Sequence, residues 1–362
     1  MTRSEWSRHL SVTVALALGT CLGGCEDCEE EAVQIPTGEQ PAEREEEADA
    51  PEPIEPLPES VEVNMQKVLL GRRLYFDTAL SGDGTLSCAS CHSLDHGGAE
   101  DRPTSIGIRD QVGPINAPTV LNSGFNFVQF WDGRAADLAE QAAGPVANPA
   151  EMGATWEDVV ARLGEDASYV ESFAEIYEDG VTQANVTNAI AEYERSLVTP
   201  SPFDAFLRGD ESAIGQEARR GYETFKTVGC TACHLGVNIG GGMYQKMGLV
   251  RDYFADRGGE LTDADMGRFN VTQQEADRHF FKVPTLRNVE HTGPYLHDGS
   301  QATLEDVVRV MGRYQLGRDL DDAQVGQLVA FLRSLSGELP EHARPAESGE
   351  GEEPEPANEP GG

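Results

Sequence analysis

The sequence predicts a mostly α-helical protein whose body is built from two tandem domains of similar design. Each half of the body carries one copy of the pentapeptide Cys-x-x-Cys-His, and each half opens and closes with apolar residues at helical spacing. Alternation of apolar and polar residues, which would indicate strands, is scarce. Two prolines interrupt a helical pattern at Thr199–Pro202, so we place the domains at 61–201 and 202–340.

The two pentapeptides predict the cofactor. The residues concerned are Cys88, Cys91 and His92 in the first copy, and Cys230, Cys233 and His234 in the second. In this motif the two thiols form thioethers with the vinyl groups of a porphyrin, and the histidine binds the iron. A single Cys-x-x-Cys could also be a redox dithiol or half of a zinc site. Two copies, each followed directly by His, favour two covalently bound haem c groups.

The helical patterns around the motifs are alike in the two halves. A glycine precedes an aromatic residue in each opening helix, Gly71 in the first and Gly221 in the second. The closing patterns Ile190–Leu197 and Leu328–Leu335 also match, through the shared ending Arg-Ser-Leu. Helix, motif, loops and closing helix form the plan of a cytochrome c domain. We therefore expect two cytochrome c-like domains with one haem each.

The N-terminal 25 residues read as an export signal. Arg3 and Arg8 precede an apolar run that is too short to span a bilayer. The run ends at Leu22–Cys25, which resembles the box that bacterial lipoproteins use for acylation of the cysteine; an ordinary cleaved signal is the alternative. Export agrees with haem c, which is attached outside the cytoplasm. These features predict a periplasmic protein held to a membrane by a lipid at Cys25.

Two acidic segments flank the body. Residues 26–60 hold 14 Asp and Glu against the single Arg44, and 341–362 hold seven Glu against Arg344. Such segments bury little apolar surface, so both are expected to be disordered. The formal net charge of the chain is −36. This charge argues against nucleic acid and favours a basic electron donor, although an acidic surface kept for solubility explains it equally well.

Further candidate residues lie outside the pentapeptides. Met311 is positioned as the sixth iron ligand of the second haem, since a thioether stabilises ferrous iron. A core methionine is the alternative reading, with Met243, Met247 and Met266 as rival ligands. In the first domain, the residues that suggest peroxide chemistry are Trp131, Gln141 and Glu151. Cleavage of an O–O bond needs a base that moves a proton between the two oxygens. Taken alone, each of these three could equally be structural.

At this point the body closely resembles the bacterial dihaem cytochrome c peroxidases. The resemblance covers nearly all of 61–340. The segments that carry it are Leu70–Arg72, Asn116–Val120, Phe130–Ala135, Pro284–Asn288 and Tyr295–Gly299. Together these motifs are highly specific.

The resemblance implies a role for each matching residue. Glu151 matches the catalytic acid–base, Gln141 the amide beside it, and Trp131 the ring that relays electrons between the haems. Met311 matches the sixth ligand of the high-potential haem. The calcium site between the haems is matched by Asn116 and by the backbone carbonyls of Thr292 and Pro294, oxygen ligands of the kind that calcium prefers.

One position departs from the family pattern. Many members carry a histidine after Ser-Ile-Gly, and it caps the peroxidatic haem until the other haem is reduced. Here Ile108 follows Ser105-Ile106-Gly107, and an aliphatic side chain cannot bind iron. We therefore expect an open first haem. Weaker alternatives for its ligand are His96, His279, His291, His297 and Met152.

The expected function is the reduction of hydrogen peroxide to water. Electrons from a small periplasmic cytochrome c or cupredoxin would enter at the Met311 haem, and peroxide would be cleaved at the His92 haem. Two alternatives stay open: a dihaem electron carrier without turnover, and an oxidase of a protein substrate. Members of the second kind use Tyr where Met311 stands. The oligomeric state, a homodimer included, is not determined by the sequence.

Overall fold

The computed structural model describes residues 52–344, and these residues are mostly helical. The expected signal segment, the acylation site at Cys25 and most of both acidic tails lie outside the described residues. The α-helices are α1 Met65–Phe76, α2 Cys88–Cys91, α3 Leu138–Ala147, α4 Trp156–Glu165, α5 Ala167–Ile176, α6 Gln183–Ser196, α7 Pro202–Leu207, α8 Gln216–Val228, α9 Tyr253–Arg257, α10 Phe269–Thr272, α11 Leu304–Gln315 and α12 Asp322–Arg333. The strands β1 Tyr244–Lys246 and β2 Phe280–Lys282 pair antiparallel.

Each half is organised around one close helix pair. In the first half α1 packs on α6, and in the second α8 packs on α12. Gly71 on α1 lies so close to the Ala189 carbonyl that a Cβ there would overlap it, and Gly221 on α8 lies equally close to the Gln327 carbonyl. The two glycines thus set the approach of the helices in both halves. The similarity of the halves seen in the sequence is present in the packing.

The apolar cores divide near residue 200. Side chains from 70–190 form one buried cluster, and side chains from 203–335 form another. Ser201 caps α7 through a capping box with Asp204, in which the Ser201 hydroxyl donates to the Asp204 carboxylate. Pro202 lies in the first turn of the helix, where a backbone N–H would have no partner within the helix. A short turn therefore joins the two cores.

The terminal segments correct the predicted limits of the acidic tails. Residues 52–60 were expected to belong to the tether 26–60, but Ile54 packs in the second core and Leu57 is fully buried. The Leu57 amide donates to Asp204 Oδ1 at 2.7 Å. At the other end Ala343, expected in the tail 341–362, is buried in a further cluster of the first half that includes Val68, and its carbonyl accepts from the Tyr193 hydroxyl at 2.5 Å. Composition predicted disorder, but a few apolar residues in each segment find a partner.

Within residues 52–344 no helix is both long enough and apolar enough to cross a membrane.

Candidate functional site

Two cavities, one in each half, contain the predicted haem-binding residues. The His92 cavity is lined by Cys88, Cys91 and His92, together with residues of α3 and of the loop that follows it. The His234 cavity is lined by Cys230, Cys233 and His234, together with residues of α11. Each pentapeptide is therefore at the wall of its own cavity.

Local structure brings the three functional side chains of each motif to one wall. In the first motif α2 is a single turn that begins with a capping box between Ser87 and Ser90, and His92 is its C-cap. In the second, Gly229 ends α8 with φ of +104°, a conformation that favours glycine, and a 3₁₀ turn follows at once. A single tight turn places two thiols and an imidazole within reach of one porphyrin.

The chemistry of these side chains fits haem c. Burial lowers the pKa of His92, and it lowers that of His234 to about 4, so both imidazoles are neutral, as iron ligation requires. The Nδ1 atom of His92 is buried with no hydrogen-bond partner among the described residues. Burial also raises the pKa of Cys88 and of Cys230 to about 12, and none of the four motif cysteines is in a disulfide. They are thus available for thioether bonds.

Glu151 lies in the wall of the His92 cavity, in the turn after α3. Burial raises the pKa of its carboxyl group, while the Asn148 amide, which donates to Oε1 at 2.7 Å, and the charge of Arg134 lower it. Burial has the larger effect. A carboxyl group with a raised pKa, held by one amide at a cavity wall, is suited to accept and return a proton.

Gln141 and Arg134 line the same cavity. Gln141 lies on α3, and Glu151 lies in the turn that follows this helix. The Arg134 guanidinium stacks on the Phe130 ring, 3.4 Å from its centroid, and pairs with Asp132 at 3.0 Å. The structure therefore brings Gln141 and Glu151 together, as the sequence predicted, and adds a cation whose role sequence reasoning had not considered.

Trp131 lies in the wall of the His234 cavity rather than in that of the His92 cavity. Its indole Nε1 donates to the Asn116 carbonyl at 2.9 Å, and its own carbonyl accepts from the Lys282 amide at 2.8 Å. Asn116 and Lys282 both line the two cavities. Trp131 is thus tied to the wall that the cavities share, which is where a relay between them would have to be.

Met311 lines the His234 cavity from α11. Because α11 extends to Gln315, Met311 lies within this helix. Among its rivals, Met247 lines the same cavity, whereas Met266 lies outside it with its sulfur 2.7 Å from Arg278 Nη1. Two thioethers are therefore present in the second cavity, and the assignment of the ligand to Met311 stays a prediction.

The three predicted calcium ligands all line the His234 cavity. The Asn116 amide nitrogen donates to the carbonyls of Arg102 and Pro103, at 3.1 and 3.2 Å, which leaves its oxygen for another partner. Within residues 52–344 the carbonyls of Thr292 and Pro294 accept no hydrogen bond. Carbonyl and amide oxygens without donors suit a calcium ion.

A second polar cluster lies nearby and is an ion-pair network. Asp265, His297 and Asp298 have potential ligand atoms within 4.8 Å of one another. However, the Arg257 guanidinium donates to Asp265 at 2.7 and 2.9 Å and to Asp298 at 3.0 Å. The two carboxylates are therefore already paired with a cation. Arg257 lowers the pKa of the Asp265 carboxyl group against the opposing effect of burial. The network fixes His297, whose ring lies 6.5 Å from that of Trp131.

Ile108 is buried, and its amide donates to the Glu151 carbonyl at 2.8 Å. Among residues 52–344, His92 is the one histidine that lines its cavity. His96 and His291 are exposed, while His279 and His297 are both bonded to Asp265. Of the alternative ligands, Met152 alone reaches this wall.

Two buried charged residues at the cavities escaped sequence reasoning. Glu194 lines the His92 cavity, and burial raises its pKa to about 8. Lys282 lines both cavities and is 6% exposed. The sequence held a sign of each burial. Glu194 lies one turn after Ile190, on the apolar face of α6, and Lys282 interrupts the apolar run Phe280–Val283.

Comparisons with known proteins agree with this geometry. Residues 65–212 match the family model described as di-haem cytochrome c peroxidase. The chain is 49% identical over 298 residues to the cytochrome c551 peroxidase of Nitrosomonas europaea, covering 82% of this chain and 87% of that protein. It is also 49% identical over 288 residues to the cytochrome c peroxidase Ccp of Escherichia coli, covering 79% of this chain but 61% of that longer protein.

A solved structure shares the fold. It is that of a MauG-like protein associated with microbial copper homeostasis, with a TM-score of 0.70 and 30% identity, and the match covers 80% of this chain and 95% of that one.

Proposed function

Because the chain belongs to the di-haem cytochrome c peroxidase family, we propose that it reduces hydrogen peroxide to water at the His92 cavity. The observation that carries the proposal is the wall of that cavity, where Glu151 and Gln141 lie with a neutral, buried His92. Two electrons and two protons convert one peroxide into two waters. Haem iron, when bound, supplies the point at which the O–O bond is cleaved.

In this mechanism Glu151 moves the proton. Its carboxylate takes a proton from the oxygen nearer the iron and returns it to the far oxygen, which leaves as water. Asn148 holds the carboxylate by the 2.7 Å hydrogen bond, and Gln141 orients the peroxide. Arg134, on the same wall, stabilises negative charge that develops as the O–O bond breaks.

Electrons would enter at the His234 cavity, where His234 and Met311 would hold the haem iron, and they would come from a small cytochrome c or cupredoxin. The hydrogen bond from Trp131 to Asn116, a residue of both cavity walls, supports passage through this ring. We also propose that calcium binds Asn116 Oδ1 and the carbonyls of Thr292 and Pro294. Export to the periplasm and a lipid at Cys25 remain part of the proposal, since both depend on residues that the structure does not describe.

The first cavity is proposed to be open in the resting ferric state. This rests on Ile108 and on His92 being the one histidine of residues 52–344 at that wall. Electron paramagnetic resonance of the fully ferric protein should show a high-spin haem. A purely low-spin spectrum, with a lag in turnover that only pre-reduction removes, would show that another ligand closes the site.

The decisive experiment mixes the fully ferric holoprotein with peroxide in a stopped-flow spectrometer and then adds a reduced small cytochrome c. The proposal expects a change in the His92 haem spectrum before any donor is present, followed by catalytic oxidation of the donor. A protein that accepts electrons but reacts with peroxide neither in the ferric state nor after pre-reduction would be an electron carrier. A protein that reacts with peroxide but oxidises no small donor would favour the oxidase of a protein substrate.

A further inference from the structure

The wall shared by the two cavities contains one charged side chain, Lys282. Asn116, Ala117, Pro118, Thr119, Asn126 and Lys282 line both cavities. The other five residues are neutral, and no motif cysteine belongs to this wall. One ammonium group is therefore placed between two spaces that are expected to hold one haem each.

The backbone pairing of β2 with β1, and not an ion pair, positions Lys282 at this shared wall. It ends β2 opposite Tyr244, and its amide donates to the Trp131 carbonyl at 2.8 Å. Within residues 52–344 its ammonium group makes no salt bridge within 4.0 Å and no hydrogen bond. Neither Glu151 nor Glu194, the carboxylates of the His92 cavity, pairs with it. Burial alone lowers its pKa, to about 8.

A buried cation without a partner is costly, and buried charges in proteins are normally paired. The cofactor expected in these cavities carries two propionate groups, at the porphyrin edge opposite the vinyl groups. The vinyl edge of each haem is fixed by its cysteines, so the anionic edge faces away from them. A wall without cysteines that contains an unpaired ammonium is suited to that edge.

We propose that Lys282 binds a haem propionate and acts as a counter-cation whose charge favours the ferrous state of the haems on either side of it. The inference rests on the two haems of the proposed function but does not require peroxide reduction. Lys282 is thus a cofactor-positioning residue that sets the electron affinity of the cavities.

The test is a spectroelectrochemical titration of holoprotein in which Lys282 is replaced. In Lys282→Met the equilibrium constant for reduction should fall by about tenfold for at least one haem, because a unit charge at roughly 10 Å and an effective dielectric constant of about 20 has an effect of that order. Lys282→Arg keeps the charge and should stay near the wild type. Lys246→Met removes an exposed lysine from the paired strand and is the matched control, expected to change neither haem.

Several outcomes would overturn the proposal. One is a fully loaded Lys282→Met protein with both potentials unchanged. Another is a low-spin ferric signal that turns high-spin in Lys282→Met and in Lys282→Arg alike, because the lysine would then be an iron ligand. If Lys282→Met yields no holoprotein, the haem content of Lys282→Arg tests the proposal instead. Haem content equal to that of the wild type would show that the positive charge is needed. Haem content as low as that of Lys282→Met would contradict the proposal. None of these readouts uses peroxide turnover, so the proposed function can fail independently.

Discussion

The His92 and His234 cavities are each built on a Cys-x-x-Cys-His motif and on an equivalent pair of helices, yet their walls differ in chemistry. The first adds Glu151, whose carboxyl group can take and return a proton, and Gln141, whose amide can form hydrogen bonds. The second has two thioethers, those of Met247 and Met311, where the first has one, that of Met152, beside its carboxylate. A soft ligand closes an iron to peroxide and suits it to electron transfer, whereas an open iron beside a carboxylate suits it to catalysis. The attachment motif is therefore common to both roles, and the rest of the wall divides them.

The largest expected effect tests the catalytic role of the His92 cavity. Glu151→Gln should lower peroxide turnover by about 10²–10⁴-fold, because general acid–base catalysis contributes that much. Haem content should not change. Glu165→Gln, an exposed carboxylate on α4, is the control. Steady-state kinetics with a reduced small cytochrome c measure the effect; undiminished activity in Glu151→Gln would remove Glu151 from the mechanism and favour an electron carrier.

The matching change on the His234 side concerns the thioethers. Met311→His should abolish the His–Met spectrum and lower the higher of two well-separated potentials, since axial ligands set haem potentials over a range of about 0.8 V. Met247→Leu should retain both properties. Redox titration followed by absorbance distinguishes the two variants. If instead Met247→Leu loses the His–Met signal, the ligand is Met247, and two equal potentials in the wild type would contradict the division of roles.

Glu194 offers a prediction of pH dependence within the His92 cavity. Its folded pKa of about 8 lies above the ordinary 4.5, so the unfolded chain ionises first and stability falls as pH rises between these values. Glu194→Gln should remove this loss. The variant should equal the wild type near pH 4 and exceed it by on the order of 2–4 kcal/mol at pH 8. Urea unfolding of the holoproteins at both pH values measures this, and an equal advantage at pH 4 would show a packing effect instead.

The smallest expected effect concerns the communication between the cavities. Removing calcium with a chelator should slow electron passage between the haems by roughly several-fold, and added calcium should restore the rate. Magnesium should not, since it demands a tighter octahedral shell and retains its waters. Flash reduction of the His234 haem, followed optically, measures the rate. Insensitivity to chelator would leave Asn116 as a side chain that orders Arg102 and Pro103.

Some of the comparison was predictable from the sequence. The pentapeptides predicted the cavity walls at Cys88–His92 and Cys230–His234, because a covalent motif acts within one turn of chain. The family was predicted correctly from short motifs such as Phe130–Ala135 and is confirmed by relatives with 43–49% identity. The helical nature of the body was also confirmed, since helical periodicity is a local property.

Other features depended on contacts between distant residues. Composition could not show that Ile54 packs in the second core or that Leu57 is fully buried, because the segment as a whole is acidic and rich in proline. Nor could it show that Met247 reaches the same cavity as Met311, or that Lys282 would lie on a wall shared by the two cavities with no charge partner among residues 52–344.

The sequence by itself determined the two Cys-x-x-Cys-His motifs, the helical build of the body, the family and the aliphatic residue at Ile108. Each of these is encoded in a short run of residues whose chemistry does not depend on the rest of the chain. The tertiary structure decided which side chains share a wall, and so which carboxyl groups are desolvated and which charges are left without a partner. Burial and long-range packing change proton affinities and the cost of a charge, and they arise only when segments far apart in the chain meet.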